Sequence, residues 1–246
     1  MIKDIRMRSV ATLPKRKMIL MRHSLFKYFS ERKWADAFLD GQLLFRSLAY
    51  FRDYEDENVR GDHNEGRALF YPEGGLIMNN ETQGKIFNFP GYGLESEAKQ
   101  DEIFVFCASR SLTDEQRAAF GAIVCVEVLQ IRTFCERIEA ALPANCTFPG
   151  KPGRTRIGQR VEYYPKTESG SPRWALPDKI STSKLDGYAW QDEFRLVFSL
   201  TDALGFENIK MQMVPQNARK PADVAQHHCY LVKAQSLRGI CRIHEF

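Results

Sequence analysis

Residues 190–200, WQDEFRLVFSL, alternate between polar and apolar side chains over most of their length. Successive side chains of a β-strand point to opposite faces of its sheet. A strand here would place Gln191, Glu193 and Arg195 on one face and the apolar side chains on the other. The stretch therefore predicts a half-buried strand that presents an amide, a carboxylate and a guanidinium side by side.

The polar face of this predicted strand has two interpretations. In the first it lines a cleft, where Glu193 would hydrogen-bond a sugar hydroxyl and stabilise the positive charge that develops when a glycosidic bond breaks. In the second the face is solvated, and Glu193 and Arg195 are exposed or paired with neighbouring side chains. The pattern alone leaves both interpretations open.

Strand-like stretches outnumber helical ones along the chain. They lie at 18–29, 42–51, 102–111 and 122–128, and again in short runs after residue 160. Neither the glycine-rich fingerprint of a Rossmann fold nor a P-loop is present. This order predicts a single domain over residues 1–246, of α+β class with a mostly antiparallel or mixed sheet rather than regular βαβ winding.

Three helices are predicted from spacing and from capping residues. Ser30 would cap the first, ERKWADAFLD, and Gly41 would end it. Thr113 would cap the second, and Gln116 would return the hydrogen bond three positions later, as in a capping box. Residues 129–142 have the spacing of apolar side chains that is typical of a third helix.

The composition is that of a globular chain. Of its 246 residues 43% are hydrophobic and 12% aromatic, which allows a sizeable core. The net charge of +4 permits a polyanionic partner without requiring one. No apolar run approaches the roughly 18 residues of a membrane helix, and no secretory signal is recognisable. The six cysteines form no CxxC pair, so we expect buried free thiols and a cytoplasmic protein.

A densely charged stretch at 52–66, RDYEDENVRGDHNEG, predicts an exposed loop. Its arginines, Arg52 and Arg60, could bind a pyrophosphate in bidentate fashion. Its carboxylates could instead bind a divalent metal ion, and a hydrated surface loop would explain the composition equally well. A metal-dependent nuclease is a further alternative, and its acidic residues would be Asp53, Glu55, Asp56 and Asp62.

Three other groups of polar residues have local explanations. Ser109 and Arg110 end a predicted buried strand, where they could bind a ligand or form a turn into a helix. The hydroxyls of residues 181–183, STS, could also hold a ligand, but a turn is the favoured interpretation. The His and Cys residues at 227–244 match no zinc-ligand spacing, so no metal site is expected.

The order and type of several motifs resemble those of bacterial ADP-ribosyltransferases, in the broad sense that includes the DarT-type toxins that modify DNA. LFKYFSERKWADAFLDGQLLF (25–45) is similar to the opening strand, helix and glycine-ended turn of that fold. YFRDYEDENVRGD (50–62) is similar to the arginine-bearing loop that follows, and FVFCASRS (104–111) to a strand ending in a small-Arg-Ser turn. QDEFRLVF (191–198) resembles the late strand that bears the catalytic glutamate. The resemblance covers about residues 18–200.

The resemblance implies an ADP-ribosyltransferase-like fold of α+β class, with two small, mostly antiparallel or mixed sheets that face each other across a cleft. It implies a mono-ADP-ribosyltransferase that uses NAD as a substrate and needs no metal. Glu193 would stabilise the oxocarbenium-like transition state, and Gln191 would position the acceptor group. The residues that would bind NAD are Lys27, Tyr28, Arg52, Tyr54, Arg60, Ser109 and Arg110.

By the same resemblance, Arg52 would bind the diphosphate together with Lys27 or Arg60. Tyr28 or Tyr54 would stack on nicotinamide or on adenine.

The resemblance also implies partners. It favours nucleic acid, DNA or RNA, as the acceptor, and basic segments at 13–22 and 149–156 could contact phosphates or be ordinary solvated surface. Enzymes of this kind are toxins of toxin–antitoxin or phage-defence systems, so an antitoxin protein is an expected partner. The principal alternative is a non-catalytic module that senses nucleotides or nucleic acid with the same cleft.

Overall fold

The computed structural model describes residues 24–52, 62–150, 155–168, 172–217 and 226–246. The strands within these ranges are β1 (Leu25–Phe29), β2 (Gln42–Ser47), β3 (Arg67–Phe70), β4 (Leu76–Asn80), β5 (Lys85–Phe89), β6 (Tyr92–Glu97), β7 (Ile103–Ser109), β8 (Val124–Val128), β9 (Gly158–Arg160), β10 (Glu162–Tyr164), β11 (Ser183–Leu185), β12 (Glu193–Ser199), β13 (Lys210–Pro215), β14 (Cys229–Lys233) and β15 (Cys241–Glu245). The α-helices are α1 (Arg32–Leu39), α2 (Leu48–Arg52), α3 (Asp114–Ala119), α4 (Ile131–Glu139) and α5 (Pro177–Ile180). The mixed α+β class, with several antiparallel sheets and few helices, is confirmed.

The largest sheet of the described chain has eight strands, and β7 lies at its centre. One path of paired strands runs β14-β2-β7-β1-β8-β15, while β12 pairs with β7 and β9 pairs with β12. The β12 strand is antiparallel to β7 over its whole length, from Glu193 opposite Ser109 to Ser199 opposite Ile103. One edge of β7 is therefore fully paired with β12.

The other edge of β7 is shared by two strands that meet it at opposite ends. The β1 strand pairs with it at Phe26 opposite Ser109, and β2 pairs with it at Arg46 opposite Val105 and at Ser47 opposite Phe104. Residues 106–108 of β7 pair with neither strand. The sheet thus splits into two arms, β2 with β14 and β1 with β8 and β15, and we call the gap between β1 and β2 the fork.

The smaller sheets flank this one. A three-stranded antiparallel sheet has the order β13-β6-β3, β4 and β5 form a hairpin, and β10 is parallel to β11. The resemblance implies two small sheets that face each other across a cleft, whereas the largest described sheet has eight strands. One strand, β7, is long enough to pair with both arms, so the arms belong to a single hydrogen-bonded sheet.

A cluster of aromatic rings fills the space between the sheet and the helices α1 and α4. Phe38 of α1 packs on Phe106 and on Phe134, with ring centroids 5.9 Å apart in both pairs. Phe45 packs on Phe106 at 5.6 Å and on Phe198 at 5.0 Å. The apolar face predicted for residues 190–200 therefore lies in the core, where burying each ring stabilises the fold by roughly 1.5–3 kcal/mol.

The helix ends confirm the predicted stop and one of the two predicted caps. Gly41 follows α1 with φ of +85°, and a Cβ at this position would lie 2.3 Å from the carbonyl oxygen of Ala234. Thr113 caps α3 by accepting a hydrogen bond from the backbone N–H of Gln116 at 3.1 Å. The predicted cap at Ser30 is wrong, because α1 begins at Arg32 behind Glu31 and has no side-chain cap.

Two predicted strands are shorter than expected. The stretch 42–51 is a strand only to Ser47, after which the chain turns into α2. Residues 190 and 191 belong to a 3-10 turn, Asp186–Gln191, and Asp192 has φ of +43°. Because a left-handed residue interrupts the extended chain, β12 begins at Glu193, and Gln191 does not lie on the strand.

None of the helices in the described ranges has the length and the apolar character needed to cross a bilayer. All six cysteines are free thiols, as expected, but only Cys125 is fully buried and Cys229 is exposed.

Candidate active site

The fork opens into a cleft of about 690 Å³. Its walls come from β1, α1, β2, α2 and the stretch of β7 that pairs with neither β1 nor β2, and Gln191 and Glu193 also line it. Five of the residues that the sequence singled out line this cleft together, and they are Lys27, Tyr28, Ser109, Gln191 and Glu193. The cleft has the size of a typical small-molecule site.

Glu193 is the carboxylate of the cleft, and both of its oxygens contact cations. Oε1 accepts a hydrogen bond from Lys184 Nζ at 2.9 Å, and Oε2 accepts one from Arg195 Nε at 2.8 Å. Arg195 also donates twice to Glu65, at 2.7 and 2.8 Å, and Lys184 lies 4.0 Å from Glu65. These four residues, Lys184, Glu193, Arg195 and Glu65, form a closed ring of alternating charge that we call the charge ring.

Burial of the charge ring excludes a solvated polar face, because Arg195 is 1% exposed and Glu193 is 9% exposed. Both side chains are paired with neighbouring charges, as the second interpretation also allowed. Buried charges are tolerated only when they are paired and hydrogen-bonded, and each member of the ring has an opposite charge beside it.

The ring keeps Glu193 ionised. Burial alone would raise the pKa of the Glu193 carboxyl, but the charges of Lys184 and Arg195 lower that pKa to about 2. Burial alone would lower the pKa of Lys184, yet the carboxylates of Glu193 and Glu65 raise it. Next to the ring, burial and the charge of Glu65 raise the pKa of Asp62 to about 6. Glu193 is therefore an anion at neutral pH.

Hydrogen bonds around Asp192 hold Glu193 in the cleft wall. Arg110 donates its backbone N–H to the carbonyl of Asp192 at 2.8 Å and its guanidinium to the carboxylate at 3.1 Å. The backbone N–H of Glu193 donates to the hydroxyl of Tyr163 at 2.8 Å. Arg110, expected to bind NAD, is not part of the cleft wall and holds the turn that precedes β12.

Lys27 and Tyr28 are adjacent in β1 but play different parts in the cleft. Lys27 Nζ donates to the carbonyl oxygen of Cys107 at 2.6 Å, in the stretch of β7 that pairs with no strand on this edge. The ring of Tyr28 packs on Phe120 at 5.4 Å, and its hydroxyl accepts a hydrogen bond from the backbone of Thr113 at 3.1 Å. Tyr28 is thus largely committed to packing, whereas Lys27 brings a positive charge into the fork.

Arg52, expected at the diphosphate, lies elsewhere. Its side chain is 5% exposed, is 3.5 Å from the carboxylate of Glu97 and donates to Gln100. The chain turns into α2 after Ser47, which carries Arg52 away from the cleft wall. Tyr54 and Arg60 lie outside the described residues.

The cleft also contains the cation of Arg46 and the rings of Trp34 and Tyr50, which were not among the site residues predicted from the sequence. Arg46 lines the cleft, and its guanidinium lies 4.5 Å from the centre of the Tyr50 ring. Trp34 of α1 lines it as well and is 53% exposed. Strand alternation puts Arg46 on the same face as Gln42 and Leu44, and that signal could have identified it.

The hydroxyls of residues 181–183 do not line the cleft. Ser181 Oγ and Thr182 Oγ1 donate to the carbonyl oxygen of Asp178 at 2.9 and 2.8 Å, at the end of α5. The backbone carbonyl of Ser181 accepts from Arg195 at 2.8 Å. These contacts agree with the predicted turn.

The described residues contain no group of three or more His, Cys, Asp or Glu side chains that could hold a metal ion. Of the acidic residues considered for a nuclease, Asp62 is buried beside the charge ring, and Asp53, Glu55 and Asp56 lie outside the described residues. The basic segment 13–22 also lies outside them, and so does most of the basic part of 149–156.

Comparisons with protein families, with curated proteins and with solved structures find no match to this chain.

Proposed function

We propose that this protein is a mono-ADP-ribosyltransferase with an ADP-ribosyltransferase-like fold, which transfers ADP-ribose from NAD to a macromolecule. The observation that carries the proposal is the position of Glu193, an ionised carboxylate at the wall of a cleft that also contains Lys27 and Arg46. One anion and two cations in a cleft of about 690 Å³ suit a ligand that has a negative diphosphate and develops a positive sugar.

The reaction assigns a role to each of these groups. The bond between C1′ of the nicotinamide ribose and the pyridinium nitrogen breaks, and nicotinamide leaves with the bonding electrons. The carboxylate of Glu193 stabilises the cationic sugar by its negative charge. A nucleophilic atom of the acceptor then bonds to C1′ and releases its proton to water. Gln191 would position that acceptor.

Arg46 takes over the part that the resemblance gave to Arg52. It lines the cleft with Lys27, and guanidinium groups bind diphosphates through paired hydrogen bonds. Trp34 and Tyr50 also line the cleft and supply ring faces on which a base could stack. By resemblance, nucleic acid is the favoured acceptor, the protein acts as a cytoplasmic toxin, and an antitoxin protein is its inhibitor.

The test is the release of nicotinamide, because it reports cleavage whatever the acceptor is. Purified protein is incubated with labelled NAD and with DNA, RNA or cell protein, and free nicotinamide and labelled macromolecules are measured. We expect Glu193→Gln to reduce the release about a hundredfold or more. Glu65→Gln is the matched control, because it removes a carboxylate from the same charge ring without touching the cleft wall.

The two variants separate catalysis from folding. Loss of stability in both variants, with loss of turnover in Glu193→Gln only, supports the proposal. Equal turnover in the wild type and in Glu193→Gln would remove Glu193 from the mechanism.

A non-catalytic sensing module is the second candidate, and one observation favours it. Both oxygens of Glu193 already accept hydrogen bonds from cations, so the carboxylate could be purely structural. Binding of NAD, measured by calorimetry, without release of nicotinamide would support this alternative.

A further inference from the structure

Lys184 connects the two residues that the proposed mechanism uses. Its Nζ donates to Gln191 Oε1 at 2.8 Å and to Glu193 Oε1 at 2.9 Å. The Lys184 side chain is 4% exposed and is not part of the cleft wall. A single ammonium group behind the wall therefore contacts two side chains that face the cleft.

The chemistry of an ammonium group fixes the orientation of both partners. Lysine has three donor hydrogens and no acceptor, so it binds the oxygen of an amide and not its nitrogen. The amide of Gln191 must then keep its oxygen toward Lys184, which places its NH2 group on the side away from that ammonium. The same contact holds one oxygen of Glu193 in place.

Arg195 is the other cation of the charge ring, but its hydrogen bonds are mostly directed inward. Two of them go to Glu65 and one to the backbone carbonyl of Ser181, which leaves one for Glu193. Lys184 is 4.0 Å from Glu65, beyond hydrogen-bond distance. The short contacts of Lys184 go to the cleft residues, and those of Arg195 go chiefly to the interior.

The other titratable groups near Glu193 come from several elements. Cys107 of β7 and Tyr163 of β10 face it, and burial together with the charge of Glu193 raises the pKa of the Cys107 thiol to about 11 and that of Tyr163 to about 12. Glu65 and Asp62 lie beyond the two cations. Among these neighbours within the described chain, Lys184 and Arg195 are the groups whose positive charge contacts the carboxylate.

We propose that Lys184 is a positioning residue that holds Gln191 and Glu193 in the orientation needed for catalysis. It acts through these two side chains and does not touch the substrate. This inference rests on the proposed function, because the orientation matters to catalysis only if the cleft turns over NAD.

The test compares three substitutions by the kinetics of nicotinamide release. Lys184→Met keeps the length of the side chain but removes the charge, whereas Lys184→Arg keeps the charge in a larger group. Lys179→Met is the matched control, because Lys179 is an exposed lysine on α5. We expect kcat to fall about a hundredfold in Lys184→Met, with KM for NAD changed by less than about threefold.

A role in packing alone predicts a different order of kcat among the Lys184 variants. If Lys184 only fills space, methionine should replace it better than the bulkier arginine. If it positions by charge, Lys184→Arg should recover more of kcat than Lys184→Met. A fall in activity as the pH is lowered from about 8 to about 5 should appear in Lys184→Met and not in Lys179→Met, because Glu193 with only Arg195 beside it would bind a proton more readily.

A measurement that does not depend on turnover separates this inference from the proposed function. The side-chain carboxyl of Glu193, labelled with carbon-13 and assigned with Glu193→Gln, is titrated by NMR in the wild type and in Lys184→Met. We expect the wild-type carboxyl to remain ionised to about pH 4 and the variant carboxyl to titrate at higher pH.

Each outcome has one meaning. If the wild type releases no nicotinamide, the proposed function fails, and the titration still judges the contact of Lys184 with Glu193. If the wild type is active and Lys184→Met matches Lys179→Met in kcat and in pH profile, the positioning role is refuted. If Lys184→Met does not fold, two other results test the positioning role. They are the kcat of Lys184→Arg relative to the wild type and the titration of Glu193 in the wild type. A wild-type Glu193 that titrates near its ordinary pKa would overturn the inference.

Discussion

Glu193 remains charged at a buried position because Lys184 and Arg195 contact both of its oxygens. A carboxyl group buried alone would be protonated, since burial disfavours the charged form. The two cations reverse that effect and lower the pKa of Glu193 to about 2. The same residue therefore affects stability as well as the proposed chemistry.

The lowered pKa predicts a loss of stability in acid. In the unfolded chain Glu193 has its ordinary pKa, so its contribution to stability is fully present above about pH 4.5 and is lost as the pH falls toward 2. For this shift the contribution amounts to about 3 kcal/mol. Urea unfolding of the wild type at a series of pH values between about 7 and 3 should show this loss.

Glu193→Gln removes the group that titrates, so its stability should fall less over the same pH range, although its stability at neutral pH is lower. Glu136→Gln, at an exposed position on α4, should follow the wild-type profile. Asp62 affects the pH dependence of stability with the opposite sign. Burial raises its pKa in the folded protein to about 6, so the stability that it provides is lost as the pH rises through that value. Parallel profiles for the wild type and Glu193→Gln would show that Glu193 is not held ionised.

At the scale of elements, the connection between β1 and β2 shapes the cleft. Helix α1 buries Ala35, Phe38 and Leu39 against the sheet, and the chain must then reverse within a few residues to enter β2. Gly41 makes that reversal with φ of +85° and donates its backbone N–H to the carbonyl of Phe38 at 2.9 Å. The position of one arm of the fork therefore depends on this glycine.

Gly41→Ala should destabilise the protein more than Gly84→Ala. Both glycines have positive φ, which costs an alanine about 1–2 kcal/mol. A Cβ at Gly41 would also lie 2.3 Å from the backbone oxygen of Ala234, whereas a Cβ at Gly84 meets no atom within 4 Å. The free energy of unfolding in urea measures the difference, and equal losses would mean that the close approach to Ala234 has no cost.

For the whole molecule, the reactivity of the free cysteines measures how closely the core is packed. Cys229 is exposed on β14, at the edge of the large sheet, and Cys125 is fully buried in β8. Burial raises the pKa of the thiols of Cys125, Cys135 and Cys241 to about 12, which leaves little reactive thiolate at neutral pH.

Thiol titration with a disulfide reagent should therefore show one fast group in the native protein and all six in urea. Cys229→Ser should remove the fast phase, and the number of thiols that react in urea should fall from six to five. If several thiols react at the fast rate in the native protein, the sheet and its helices are not closely packed.

The local patterns of this sequence determined much of the secondary structure. The alternation in residues 193–199 and the apolar run at 103–109 predicted β12 and β7, because the side-chain period of a strand is encoded by near neighbours. Thr113 and Gly41 marked helix ends because capping also depends on residues that are close in the sequence. The presence of a carboxylate on the polar face of β12 could also be inferred from the sequence.

The tertiary structure alone decided what that face does. Arg195 and Glu65 are 130 residues apart, and nothing in either neighbourhood predicts that they pair. The structure also placed Arg46 in the cleft and Arg52 outside it, because the strand β2 ends at Ser47 and the chain continues as the helix α2. Contacts of this kind depend on how strands pair across the sheet, and that pairing is set by packing over the whole chain rather than by any local pattern.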